Sequence, residues 1–117
     1  MLTVYRVQDK DGRGPWAPGI SSQWVEDRED HDNLPPFYVE FGPIHAQILY
    51  GEHAGTGCQT LGQLRRWFTS SEYASLSRLG YKAVKMEAGR ILASSNVQCF
   101  FGRAKPLNED IEEVEMY

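Results

Sequence analysis

The chain opens on Leu2-Thr3-Val4-Tyr5-Arg6-Val7-Gln8, a run that is apolar on both faces until Arg6 interrupts it. Apolar residues on both faces predict a strand covered on both sides, where an arginine is almost never fully buried without a partner. Arg6 therefore either lines a cleft or pairs with an internal carboxylate, for which Glu40 and Glu87 are the candidates. Residues 9–36 then lose the pattern. Gly12, Gly14, Gly19, Pro15, Pro18, Pro35, Pro36 and an acidic run make them one long irregular loop. Loops beyond about 12–15 residues are uncommon in compact domains and are often functional or mobile. Trp16 and Trp24 are expected to pin this one to an apolar surface.

Past the loop, Phe37–Phe41 reads as a strand closed by Gly42-Pro43. Residues 44–50 read as either a strand or a short helix, and 51–57 as a loop. Thr60 followed by Gln63 is a capping-box signature, and Leu61, Leu64 and Phe68 share one face of the helix it opens. A second short helix, capped by Ser70 or Ser71, carries Leu76 and Leu79 and stops at Gly80. Tyr81–Glu87 and residues 90–93 read as strands joined by a hairpin turn at Ala88-Gly89, with a further strand over residues 96–103. This order predicts an α+β fold: a single domain over residues 1–107 with a mainly antiparallel sheet, continuous or split, and two short helices. Residues 108–117 read as a frayed acidic tail in which Ile111 and Val114 can dock.

Composition narrows the class. A chain of 117 residues suits one domain, and 41% apolar with 24% charged content is that of a globular protein. No apolar run approaches the ~20 residues of a membrane span, and a signal-peptide pattern is not expected. Cys58 and Cys99 form no close-spaced pair and are read as reduced thiols in the cytoplasm. The net charge of −4 is unevenly spread. Residues 26–32 and 109–115 hold five acids each, which leaves eleven bases against six acids elsewhere. Arg65, Arg66, Glu109, Asp110, Glu112 and Glu113 are candidates for a charged docking surface, since segregated charge speeds and orients association with a protein partner. The alternative is that the acids merely solvate a loop and a tail. The acidic balance and the absence of a nucleic-acid motif argue against direct binding of DNA or RNA.

Individual residues add less. Gly12-Arg13-Gly14 runs into Pro15 with no helix, so it reads as a plain loop rather than a dinucleotide fingerprint. His45, His53 and Cys58 match no common zinc spacing, and no metal site is expected. His31 reads as a solvated loop residue, and Cys58 as a buried thiol. Gln98 shares a strand face with Phe100; an amide there can read a ligand edge but is no general base at neutral pH.

Taken together, Tyr5-Arg6-Val7, Gly12-Arg13-Gly14-Pro15, the helix Thr60 to Phe68 and the strand around Gln98 resemble small proteins of bacteriophages and mobile elements. Those look distantly like the ADP-ribosyltransferase fold, over residues 3–104 of this chain. The resemblance implies a split antiparallel sheet around a cleft that in transferases holds NAD. Arg6 matches the first-strand residue that helps place NAD, Tyr38 a middle position, and Gln98 lies near the position of the catalytic glutamate. An amide carries no negative charge, so a transferase would work in weakened form or with a different acid such as Glu40 or Glu87. Two functions follow from the resemblance. One is a small phage-type accessory protein in the host cytoplasm that binds and inhibits a host protein, such as a CRISPR effector, without any cofactor. The other is an NAD-dependent mono-ADP-ribosyltransferase acting on a host protein or nucleic acid. Either works as a monomer or dimer, away from membranes.

Overall fold

The computed structural model describes residues 2–16, 19–26 and 34–117. His31 and the acidic run from residue 27 onward lie outside the described residues. Among the described residues six strands form two three-stranded antiparallel sheets. In the first, β3 (Lys82–Ala88) lies between β1 (Leu2–Gln8) and β6 (Glu112–Glu113). In the second, β5 (Cys99–Arg103) lies between β2 (His53–Gly57) and β4 (Arg90–Ser94). The helices are α1 (Phe37–Phe41), α2 (Leu61–Trp67) and α3 (Ser70–Arg78), with 3-10 turns at Ser21–Gln23 and Ile44–Gln47. The α+β class and the split antiparallel sheet are as expected.

Strand alternation explains the layering. Val4 and Val7 point to opposite faces of β1. Val4 packs with Val84, Met86, Cys99 and Phe101 between the sheets, and Val7 packs with Trp24, Leu64, Phe68 and Leu76 under the helices. Both helices of the second cluster begin with reciprocal caps, Thr60 with Gln63 and Thr69 with Glu72. Losing such a cap costs about 1 kcal/mol. The second cap is Thr69, one residue before the expected serines. Gly80 ends α3 at φ +95, a conformation other residues rarely adopt. Trp24 is buried, with its indole N–H donating to the Pro15 carbonyl at 2.9 Å and its ring 5.3 Å from Phe68. The described part of the long loop is thereby pinned to the helical core.

Four expectations need correction. Phe37–Phe41 is a helix, because the amides of Val39 and Glu40 both turn back to the Pro36 carbonyl. Residues 53–57 form β2 rather than a loop; their glycines hide the strand, but β5 supplies a full antiparallel partner. Ala88-Gly89 is not a hairpin turn. Gly89 donates to the Gly102 carbonyl at 2.8 Å, and the chain passes there from one sheet to the other. The tail is docked rather than frayed: β6 pairs with β3, Val114 donates to Ala83 at 3.0 Å, and Met116 is 1% exposed.

Candidate functional site

The two sheets meet where Tyr5 and Cys58 exchange backbone hydrogen bonds of 2.7 and 2.8 Å. Arg6, the next residue, enters the opening between β1 and β2. Its Nη1 donates to the Thr56 carbonyl and its Nη2 to the Gly12 carbonyl, each at 3.0 Å. A Cβ on Gly55 would overlap Nη1, so a side chain there would push the guanidinium aside. Neither Glu40 nor Glu87 pairs with Arg6, contrary to the ion-pair alternative; backbone carbonyls take that role. Burial lowers the Arg6 pKa to about 10, with Asp9 partly opposing the shift. Its Nε is buried without an acceptor.

Arg6 lines a cavity of about 710 Å³. Its walls are apolar and aromatic: Trp16, Phe37, Tyr38, Trp67 and Phe100 face it. Phe37 stacks on Phe100, with centroids 5.2 Å apart and planes at 8°, and His45 leans on both rings. Concave, largely apolar cavities of this size with few polar groups suit small ligands.

The cavity gathers Arg6, Tyr38 and Gln98, the three residues singled out together from the sequence. Tyr38 stands 64% exposed at the rim. Gln98 is buried and donates to the Pro35 carbonyl at 2.7 Å and to Glu40 Oε1 at 2.9 Å. Ser95 Oγ adds a second bond to the same Glu40 oxygen at 2.8 Å. Glu87 lies exposed on β3 opposite Thr3 and does not line the cavity. Cys58 lines it, but burial pushes its thiol up to about 12, which leaves too little thiolate for a nucleophile. His53 is exposed at the start of β2, and among the described residues no three His, Cys, Asp or Glu gather as metal ligands.

The charged docking candidates lie elsewhere, and several are tied to other residues of the fold. Arg65 Nε donates to the Met116 carbonyl at 2.7 Å and sits 5.9 Å from the Tyr117 ring. Lys85 pairs with Glu112 at 3.6 Å, and Lys105 pairs with Asp110. The Glu109 carbonyl accepts from Arg103 at 2.9 Å. Arg66 and Glu113 are exposed on α2 and β6. Of the two histidines expected near the cleft in a transferase, His45 lines it and His53 does not; sequence reasoning missed the Phe37–Phe100 stack because it placed Phe37 on a strand, and Trp67 because it assigned that ring to the helical core. Pro35-Pro36 ahead of Phe37 was a usable helix-start signal.

A family model described as Bacteriophage T4 Y00F protein matches residues 1–115. The chain belongs to that phage family. No curated protein and no solved structure matches this Y00F-family chain. Among its described residues no helix is long and apolar enough to cross a membrane.

Proposed function

We propose that this phage-family protein binds NAD in the cleft and transfers its ADP-ribose portion to a host protein. The carrying observation is the convergence of Arg6, Tyr38 and Gln98 on one cavity. NAD joins an anionic diphosphate to flat rings, and the residues present fit it. Arg6 bonds two carbonyls, which leaves further N–H donors of its guanidinium for an anion. Phe37, Tyr38 and Phe100 offer ring surfaces. When bound, NAD supplies a ribose–nicotinamide bond whose electron pair leaves with nicotinamide, while the acceptor's nucleophile takes its place at the ribose carbon and gives up its proton. The residues of the chain hold the diphosphate at Arg6, orient the rings on the aromatic wall and exclude water behind Trp16 and Trp67.

The second reading is a stoichiometric inhibitor that binds a host defence protein without catalysis. It is favoured by Gln98 standing where the resemblance calls for a glutamate, and by the exposed Tyr38, Val39, Leu49 and Tyr50. Incubating the pure protein and host lysate with labelled NAD separates the two. Protein-linked label that disappears in Tyr38→Ala and Arg6→Ala supports transfer. A folded wild type that neither binds NAD nor leaves label overturns it and favours the inhibitor. Tyr38→Ala guards against a trivial result, since an exposed side chain can be removed without unfolding the core.

A further inference from the structure

Gln98 lines the cleft and is 5% exposed, yet only half of its amide is engaged. Nε2 donates to the Pro35 carbonyl at 2.7 Å and to Glu40 Oε1 at 2.9 Å. Both partners only accept, so the amide stands one way round, with nitrogen toward them. Ser95 Oγ donates to the same Glu40 oxygen at 2.8 Å and steadies that partner. Gln98 Oε1 accepts no hydrogen bond from the described residues, and unlike Gln8 Oε1 it is not a buried orphan. It therefore reaches open space, and the open space that Gln98 lines is the cleft. Phe100, two residues on, lines the same cleft and stacks on Phe37. A flat ring lodged along this aromatic wall turns its edge to a carbonyl so placed.

We propose that Gln98 sets the specificity of the cleft: its fixed carbonyl accepts a hydrogen bond from an amino group in the plane of the ligand's ring. An acceptor locked in this direction rejects a ring that offers a carbonyl or a methyl there. Two carbonyls repel, and a methyl strips the oxygen of water without replacing the bond. This rests on the NAD reading above and deepens it. NAD carries two such amino groups, one on adenine and one on the carboxamide of nicotinamide, with the diphosphate for Arg6 between them. The same amide gives Gln98 a use that needs no negative charge.

The test is equilibrium binding, read by calorimetry, of NAD and two uncharged replacements of its amino groups. One analogue carries hypoxanthine for adenine; the other carries an acetyl group for the carboxamide. Wild type should bind one of the two at least ten-fold more weakly than NAD, the loss expected for one missing hydrogen bond to a buried group. Loss with the hypoxanthine analogue puts adenine at Gln98, and loss with the acetyl analogue puts nicotinamide there. Gln98→Met, which keeps the length and removes the acceptor, should bind all three ligands alike. Equal binding of all three by wild type overturns the inference and leaves the cleft as an NAD site, as does discrimination that survives in Gln98→Met. Failure of wild type to bind NAD overturns both readings. Should Gln98→Met not fold, the carbonyl-carbon NMR signal of the Gln98 side chain in wild type decides. It should move on adding NAD and stay in place with the rejected analogue; a signal indifferent to NAD overturns the inference.

Discussion

Arg6 and Arg103 are both buried, one in each sheet, and neither forms a salt bridge with a carboxylate side chain among the described residues. They differ in what surrounds them. Arg103 Nη1 donates to the carbonyls of Pro106 and Glu109, each at 2.9 Å, and lies 3.6 Å from the Met86 sulfur. None of its nitrogens is a buried orphan. Arg6 also bonds two carbonyls, yet its Nε has no acceptor and its side chain lines the cavity. Arg103 ties a connecting segment to the sheet and has no access to the cleft. Arg6 is held with donors to spare. A buried arginine that ties down a connecting segment reads as structure; one with a buried, unpartnered nitrogen beside a cavity reads as a site.

The largest expected effect would break the comparison from the structural side. Arg103→Ala frees the Glu109 carbonyl, leaves the Pro106 carbonyl with the Glu109 amide alone and empties a buried site beside Met86, at a cost of about 2–3 kcal/mol. The melting temperature should fall by more than about 10 °C, at the usual ~4–8 °C per kcal/mol for a domain of this size. Arg6→Met should cost less than half as much, because it also removes a desolvated charge with an unpaired Nε. Equal losses would make Arg6 as structural as Arg103. A smaller effect sharpens the cleft side. Gly55→Ala drives a methyl into Nη1 and should cost about 1–3 kcal/mol as overpacking while weakening NAD binding at least ten-fold. A denaturation curve together with a binding titration checks both halves, and unchanged affinity would detach Arg6 from the ligand.

The smallest effect uses a third arginine, this one paired with an acid. Arg90 meets Glu52 through two bonds of 2.8 Å and holds the Glu52 carboxyl at about 2, below its usual 4.5, helped by the Leu49 amide. The folded state therefore binds this proton less tightly than the unfolded chain. The pair's contribution is fully present above pH 4.5 and is lost as pH falls through about 2. Its size is small, because the pair is screened by solvent. A carboxyl chemical-shift titration should place the midpoint near 2 in wild type and return it toward 4.5 in Arg90→Met.

How much of this was legible in the sequence depends on the range of the interaction. The cap at Thr60, the stop at Gly80 and the apolar face of α2 are local, and propensity and spacing reveal them; the second cap, expected at Ser70 or Ser71, falls one residue earlier at Thr69. The pairing of β2 with β5 joins residues about half a chain apart, and Gly55 and Gly57 depress every local strand signal there. Phe37–Phe41 has the composition of a strand, yet its short helix is set by Pro36 and by the stacking of Phe37 on Phe100. Within the site, the alternation of β1 exposed Arg6 as an anomaly, but its carbonyl partners could not be seen, because they belong to the paths of β2 and the Gly12 turn. Glu40 was visible as a candidate acid. Its contact with Gln98 depends on α1 folding back over the β4–β5 turn.

The order of strands in the first sheet also governs when the protein can fold. β1 leaves the ribosome about eighty residues ahead of its partner β3, and Met116, which closes the helical core, comes later still. With no early partner for β1, synthesis should proceed through an extended interval in which an apolar strand stays open to chaperones. Collapse to the finished core then waits until the last strand has cleared the exit tunnel.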